Sequence, residues 1–255
     1  MSFRKSSLTF DFFNTLIEPV DKNVSKRALK AVYDVGVKYG LTIGFDEFIS
    51  EALSQWQKVL RKRIEEGTET LYNSHLLEVF KDVGMQSSKA RAVIKESTSA
   101  YFKILTANVQ LVEDTYEVIE ILSETFRIGL ISNFTYPPFI HSQLETHNLS
   151  DFFETVTISG DHGFSKPFPR IFAHTVRSMN MKPHNVIHIG DSLACDVIGA
   201  KKAGLKAIWF KRNDDDEQQN EGEYRPDLTI HQLSELLEAK LDSLVNYHPT
   251  SRLAS

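Results

Sequence analysis

The spacing of apolar positions changes along the chain and divides it into two kinds of structure. Leu8 to Phe12 is a short apolar run that turns polar at Asn14 and Thr15, which is typical of a buried strand that ends at a loop. From residue 24 to about residue 105 the apolar residues recur at helical spacing instead. This stretch predicts a block of helices without a strand, covering about 24–39, 48–63, 71–83 and 88–105.

Beyond residue 107, short apolar runs alternate with amphipathic stretches. The predicted strands are 127–132, 155–159, 185–189 and 206–210, and the predicted helices are 115–124, 138–146, 169–179, 194–203 and 230–245. Such alternation indicates a parallel sheet that is covered on both faces. The pattern therefore predicts an α/β core made of residues 1–19 and 107–255, interrupted by an all-helical cap domain at 20–106. The polar stretch from Asn213 to Glu223 is predicted to be a mobile loop.

Composition narrows the class of protein. A hydrophobic content of 41% suffices for a buried core, and the net charge of −5, with scattered basic residues, does not indicate a nucleic-acid surface. The single cysteine, Cys195, cannot form an intrachain disulfide, which fits a reducing compartment. We see no signal peptide and no membrane-spanning stretch. We therefore expect a cytoplasmic protein with a small-molecule partner and neither nucleic-acid nor membrane partners.

Polar residues follow four of the predicted strands, each at its carboxyl end. Because ligands of such sheets bind at that edge, we expect these residues to converge. They are the segment Asp11 to Thr15, the pair Ser132 and Asn133, Lys166, and Asp191 with Asp196.

This set of groups suits the transfer of a group to a carboxylate. Asp11 can attack an electrophilic centre and form a covalent intermediate, which splits one difficult step into two. Three carboxylates at one point, those of Asp11, Asp191 and Asp196, repel one another unless cations are present. Lys166 supplies one positive charge, and Mg2+, which prefers oxygen ligands, supplies the remainder.

In their order along the chain, these residues resemble the four motifs of the haloacid dehalogenase superfamily, in particular its branch with a helical cap after the first motif. The resemblance covers nearly the whole chain and implies a Rossmann-like parallel-sheet core with an inserted cap. It implies that Asp11 is the nucleophile, that Thr15 orients it, and that Lys166 neutralises the nucleophile and the transferred group. It further implies that Ser132 and the Asn133 amide bind phosphate oxygens, and that Asp11, the Phe13 carbonyl and Asp191 surround Mg2+ with Asp196 behind them.

Phe13 departs from the phosphatases of that superfamily. They usually carry aspartate two residues after the nucleophile, where it protonates the leaving group and then activates water. Phenylalanine can do neither, and general acid–base catalysis contributes about 10²- to 10⁴-fold. The haloacid dehalogenases carry tyrosine at this position, whereas Gly190, Asp191 and Ser192 resemble the magnesium-dependent phosphatases.

Several residues have plainer interpretations. Lys166 can be a surface lysine, Asp196 can cap a helix, Ser132 and Thr15 can satisfy nearby backbone groups, and Phe13 can pack between core and cap rather than line an apolar pocket. His188 and Cys195 are interpreted as packing residues. The basic cluster at 58–63 is interpreted as a solvated helix face, with attraction of an anionic substrate as the alternative.

Three functions remain open. The first is a magnesium-dependent phosphatase that acts on a small phosphorylated metabolite through an aspartyl-phosphate and is slowed by Phe13. The second is a 2-haloacid dehalogenase, which requires a cationic pocket, for example from Arg27 or another cap arginine. The third is a regulatory protein that holds a phosphorylated ligand without efficient turnover.

Overall fold

A six-stranded parallel sheet lies at the centre of the computed structural model, which describes residues 6–85, 89–212 and 224–246. The strands are β1 (Ser7–Phe10), β2 (Ile17–Pro19), β3 (Val109–Leu111), β4 (Arg127–Ser132), β5 (Phe153–Ile158), β6 (Val186–Gly190), β7 (Lys206–Phe210) and β8 (Leu228–Ile230). Six of these strands form the sheet, in the order β5-β4-β1-β6-β7-β8, and every pairing within the sheet is parallel. The predicted α/β class is therefore confirmed.

Helices connect the strands and form the block between β2 and β3. The helices are α1 (Val24–Lys38), α2 (Phe45–Glu66), α3 (Tyr72–Asp82), α4 (Ala90–Thr106), α5 (Thr115–Thr125), α6 (Pro137–Thr146), α7 (Ser159–His162), α8 (Pro169–Ser178), α9 (Gly199–Lys202), α10 (Glu235–Glu238) and α11 (Leu241–Asn246). A π-helical turn, Leu193–Ile198, precedes α9. No helix within the described ranges has both the length and the apolar character that a membrane span requires.

Both faces of the sheet are buried, because neighbouring residues of each central strand pack on opposite sides. In β4, Leu130 belongs to one hydrophobic cluster and Ile131 to another, and in β6 the same holds for Ile187 and Val186. Both faces are therefore apolar, as in parallel sheets between helices.

A short two-stranded ribbon connects the helical block to the core. Strands β2 and β3 pair antiparallel, and α1 to α4 lie between them, with α1 packed along α4 and α2 along α3. The ribbon was not predicted, because three-residue strands are too short to show a periodicity. The proposed domain boundaries at residues 20 and 106 stay a prediction.

The predicted helix at 230–245 is wrong. Leu228 to Ile230 form the edge strand β8 beside β7, and two short helices follow it. The extended backbone of Ala239 separates these helices, with φ −71° and ψ 138°. A short apolar run does not distinguish an edge strand from the first turn of a helix. The loop predicted at 213–223 lies outside the described residues.

Candidate active site

The predicted site residues converge at the carboxyl edge of the sheet. Asp11 follows β1, which lies between β4 and β6, and Ser132 is the last residue of β4. Asp191 follows β6, and Lys166 reaches the same point from the loop after β5. The backbone N–H of Asp11 donates to the carbonyl of Ile189 at 2.8 Å, which holds the first and fourth motifs side by side.

Lys166 is at the centre of this group and is only 2% exposed, so it is not a surface lysine. Its Nζ donates to Asp11 Oδ1 at 2.5 Å, to Asp196 Oδ1 at 2.6 Å and to the carbonyl of Ile131 at 2.9 Å. A buried ammonium group requires such partners, because burial without them would favour its neutral form. The attraction of the two carboxylates outweighs burial and raises the pKa of Lys166 above its usual value.

Asn133 positions Lys166 through its side chain. Its Oδ1 accepts a hydrogen bond from the Lys166 N–H at 2.8 Å, and its Nδ2 donates to the Lys166 carbonyl at 2.9 Å. The sequence interpretation considered only the Asn133 backbone amide and missed this contact. An asparagine directly after a strand is a weak signal for it, since the partner lies 33 residues further along the chain.

Both carboxylate oxygens of Asp196 are used within the protein. Oδ1 contacts Lys166 Nζ and lies 3.1 Å from His188 Nε2, while Oδ2 accepts from the Ser192 N–H at 2.9 Å. The Ser192 side chain caps the following turn by accepting from the Cys195 N–H at 3.1 Å, and Asp196 Oδ2 caps it reciprocally while Oδ1 holds Lys166, so capping is not the sole role of Asp196. A Cβ atom at Gly190 would lie 2.3 Å from the carboxyl carbon of Asp196, and glycine is therefore required there.

His188 links Asp196 to Thr9, whereas the sequence analysis interpreted it as a packing residue. Its Nε2 lies 3.1 Å from Asp196 Oδ1, and its Nδ1 lies 3.0 Å from Thr9 Oγ1. The ring meets Phe172 edge-on, with centroids 5.2 Å apart. Burial lowers the pKa of His188, which favours the neutral ring. A histidine within an otherwise apolar strand was the available signal, because a buried ring needs partners for its nitrogens.

Negative charge accumulates where Asp11, Asp191 and Asp196 meet. Burial raises the pKa of Asp11 to about 6, although Lys166 opposes the shift. Burial, followed by repulsion from Asp11 and Asp196, raises the pKa of Asp191 to about 7. For Asp196 burial acts in the same direction, but Lys166 and His188 outweigh it and lower the pKa below its usual value. One lysine therefore does not balance the three carboxylates.

The arrangement fits a hard divalent cation. One oxygen each from Asp11, Asp191 and Asp196 lies within 4.8 Å of the others. Both oxygens of Asp196 accept short hydrogen bonds, whereas Oδ2 of Asp11 has only the long contact of 3.4 Å with Thr15, so Asp11 and Asp191 are the carboxylates better suited to contact a cation. In the turn after Asp11, the carbonyls of Phe12 and Ile17 accept the backbone hydrogen bonds, and the carbonyl of Phe13 is not used in this turn.

The remaining predicted residues are in place but make weaker contacts. Thr15 is fully buried, and its Oγ1 lies 3.4 Å from Asp11 Oδ2, which is a long hydrogen bond. Ser132 is 1% exposed at the end of β4. Phe13 is partly exposed, and its ring stacks on Phe134 with centroids 6.2 Å apart.

A cavity of about 560 Å³ lies directly above these loops. Its core side includes Phe13, Asn133 and Phe134, and its cap side includes residues of α2, α3 and α4. Volumes of this size are usual for small-molecule pockets. The cavity therefore lies between the helical block and the loops that follow Asp11 and Ser132.

Arg63 is an exception within the basic cluster at 58–63, because Lys58, Arg61 and Lys62 are exposed as predicted whereas Arg63 lines this cavity. Its side chain is only 12% exposed and pairs with Glu69 at 2.8 Å, and the Glu69 side chain is fully buried. Glu69 also accepts from Ser159 Oγ at 2.5 Å, and Ser159 Oγ accepts from the Phe134 N–H at 2.9 Å. This chain of contacts ties the cap to the loops after β4 and β5.

Comparison with known proteins agrees with the fold and the order of the motifs. The family model of the haloacid dehalogenase-like hydrolases matches residues 46–210, which is more than half of the chain. The chain belongs to this family of hydrolytic enzymes.

The similar proteins include two named phosphatases, and the structure of a dehalogenase shares the fold. A 5-amino-6-(5-phospho-D-ribitylamino)uracil phosphatase of Escherichia coli is 26% identical over 91% of this chain and 95% of the relative. A glyceraldehyde 3-phosphate phosphatase of Pyrococcus furiosus is 42% identical, but the match spans only 35% of this chain and 38% of that protein. A 2-haloacid dehalogenase from Pseudomonas syringae shares the fold, with a TM-score of 0.70 at 24% identity over 91% of this chain and 96% of that structure.

Proposed function

We propose that this protein is a magnesium-dependent phosphate-monoester hydrolase that forms an aspartyl-phosphate on Asp11. The observation that carries the proposal is the buried contact of Asp11 with Lys166 beside the carboxylate of Asp191. This arrangement combines a nucleophile, a fixed positive charge for the transferred group, and a site for a divalent cation. The relatives described above include enzymes named as phosphatases of small phosphorylated compounds.

In the first step, a carboxylate oxygen of Asp11 attacks phosphorus in line with the leaving oxygen. The P–O bond to the leaving group breaks, and that oxygen departs with the electron pair. Lys166 balances the charge on Asp11 and on the transferred phosphoryl group, while Ser132 and the Asn133 amide hold its oxygens. In the second step, water attacks the aspartyl-phosphate, releasing phosphate and restoring Asp11.

Asp11, Asp191 and the Phe13 carbonyl would hold Mg2+, with Asp196 fixing Lys166 behind them. When bound, the ion supplies positive charge that draws the phosphate and the carboxylates together. The ion also favours the ionised forms of Asp11 and Asp191, whose pKa values burial raises. The nucleophile is then charged at neutral pH.

The helical block at 20–106 acts as the cap in this proposal. It forms one side of the cavity, and Glu69, through its contacts with Arg63 and Ser159, connects cap and core. Phe13 leaves the leaving oxygen without an internal proton donor. Turnover is therefore slower for esters whose leaving oxygen needs a proton.

The dehalogenase alternative is less well supported. Its substrate carries a carboxylate that requires a free cation, yet Arg27 is paired with Asp21 at 2.7 Å on the exposed surface and does not line the cavity. Arg63 does line the cavity, but Glu69 neutralises it.

The test is phosphate release from a panel of phosphate monoesters, with Mg2+ or with a chelator, for wild type and Asp11→Asn. We expect release that requires both Mg2+ and Asp11. Asp151→Asn is the matched control, because it makes the same chemical change at an exposed residue. Release that persists in Asp11→Asn would refute the assignment of the nucleophile.

Absence of phosphate release from folded wild type would refute the proposal that the protein is a phosphate-monoester hydrolase. Halide release from a haloacid panel, indifferent to chelator, would then establish the dehalogenase. Phosphate-ester binding without turnover would establish the regulatory alternative.

A further inference from the structure

We propose that the cavity between cap and core binds an uncharged aromatic group, so that the substrate is an aromatic phosphate monoester. The inference rests on the proposed hydrolase function and adds the chemical class of the leaving group. Two features of the cavity carry it, the aromatic residues of its wall and the absence of an unbalanced charge among its described lining residues, and unpartnered polar atoms in the same residues agree with it.

The cavity wall is rich in aromatic residues. Six of its lining residues are aromatic, namely Phe13, Trp56, Tyr72, Tyr101, Phe102 and Phe134. They come from both sides of the cavity, since α2, α3 and α4 supply four and the core loops supply two. Aromatic rings favour offset or edge-to-face contact with another ring at centroid distances of 4.5–7 Å. A planar ring is therefore the shape and surface that this wall complements.

Three lining residues hold buried polar atoms without a hydrogen-bond partner among the described residues. These atoms are Tyr72 Oη, His75 Nδ1 and Arg63 Nε. Unpaired buried polar atoms are uncommon because each costs the free energy of its lost hydration. Three residues of the cavity wall therefore retain hydrogen-bonding atoms that no described residue uses.

The charge of the cavity excludes strongly charged leaving groups. Among the described lining residues there is no aspartate, glutamate or lysine, and the charge of Arg63 is balanced by Glu69. Burial lowers the pKa of His75 to about 4, so its ring is neutral at pH 7. A carboxylate or ammonium group on the substrate would enter this cavity without a free opposite charge, at a high desolvation cost.

The chemistry at Phe13 agrees with an aromatic leaving group. A phenol has a pKa of about 10, as in tyrosine, and so leaves as a phenolate more readily than an alkoxide does. In the transfer to Asp11 the phenolate departs with the electron pair of the P–O bond and takes its proton afterwards from water. An aryl ester therefore does not need the acid that Phe13 lacks.

Four phosphate compounds separate ring recognition from leaving-group chemistry. Phenyl phosphate has both a ring and a good leaving group, benzyl phosphate has only the ring, acetyl phosphate has only the good leaving group, and ethyl phosphate has neither. We expect the KM values of the two ring compounds to be at least tenfold below those of the other two. We expect kcat to be higher for phenyl and acetyl phosphate than for the two alkyl esters.

Trp56→Leu tests the wall directly, because Trp56 lines the cavity and is not in the catalytic cluster. Its KM for phenyl phosphate is expected to rise about three- to tenfold, the size of one lost aromatic contact, with no change for acetyl phosphate. Tyr116→Leu is the matched control, since Tyr116 is a 39% exposed aromatic residue that does not line the cavity. It should change neither KM.

Binding to Asp11→Asn separates failure of this inference from failure of the proposed function. Calorimetry with benzylphosphonate and methylphosphonate, in Mg2+, is expected to give at least tenfold tighter binding of the aromatic compound. Hydrolysis of acetyl phosphate with equal binding of both phosphonates would overturn the aromatic inference and leave the hydrolase intact. Tighter benzylphosphonate binding without hydrolysis of any ester would support the cavity assignment and overturn the hydrolase.

Discussion

Removal of the Lys166 ammonium tests whether this residue balances the buried carboxylates. In Lys166→Met the side chain keeps a similar volume, but Asp11 and Asp196 lose their shared cation. The side chains of Asp11 and Asp196 are only 10% and 2% exposed, so water cannot replace it. Breaking a buried ion pair from one side costs about 3–5 kcal/mol, a large part of the 5–15 kcal/mol that stabilises a typical domain.

The loss of folding stability in Lys166→Met should increase with pH. Without Lys166, the pKa of Asp11 in the folded protein rises further above the value of about 4 that unfolded chains show, and the pKa of Asp196, which Lys166 lowers in the wild type, rises as well. A carboxylate with a raised folded pKa destabilises the fold progressively as pH increases from the unfolded value through the folded one. Lys166→Met should therefore lose more stability at pH 8 than at pH 5, by at least about 1 kcal/mol.

Urea unfolding in the presence of a chelator, at pH 5 and pH 8, measures both quantities. Lys81→Met is the control, because Lys81 pairs with Glu78 at the surface with both side chains about half exposed. It should cost at most about 0.5 kcal/mol at either pH. A loss below about 1 kcal/mol for Lys166→Met at pH 8, or the same loss at both pH values, would refute the reasoning.

Three further predictions concern the site. Gly190→Ala should abolish most activity and lower the free energy of unfolding by about 1–3 kcal/mol, because the new methyl group meets a buried carboxylate. Gly44→Ala, whose new methyl group has nothing within 4 Å, should lower it by less than about 1 kcal/mol, and equal losses of stability and activity in the two variants would contradict this reasoning. Mg2+ affinity, measured by calorimetry, should rise at least tenfold from pH 5.5 to pH 8, because Asp11 and Asp191 have pKa values of about 6 and 7 in the free site and must lose protons to bind the ion. An affinity independent of pH would exclude them as ligands. Phe13→Asp should raise kcat for ethyl phosphate by about tenfold or more and for phenyl phosphate by less, since it restores a proton donor; a folded variant without this gain would show that the missing acid does not limit the rate.

Local pattern was sufficient for the α/β class and for the convergence of the site residues. The strand at 206–210 and the strand at 127–132 have the predicted bounds, because their apolar runs are bordered by polar residues. Once these strands are parallel, their carboxyl ends meet at one edge. Asp11, Lys166 and Asp191 could therefore be grouped without knowledge of any distance.

Local pattern failed where a neighbouring element decides the conformation. Residues 228–230 are a strand only because β7 offers a free edge, and Arg63 is buried only because Glu69 lies opposite it. Neither partner lies at a spacing that a helix or strand periodicity would reveal.

By itself the sequence determined which chemical groups lie at the edge of the sheet, because strand alternation depends on short-range polarity. The tertiary structure alone decided what each group contacts, as when the Asn133 side chain holds Lys166 and His188 joins Thr9 to Asp196. It also decided that a cavity with six aromatic lining residues lies between the helical block and the loops after Asp11 and Ser132. The physical reason is that hydrogen bonds and cavities depend on distances between residues far apart along the chain, and packing of the whole fold sets those distances.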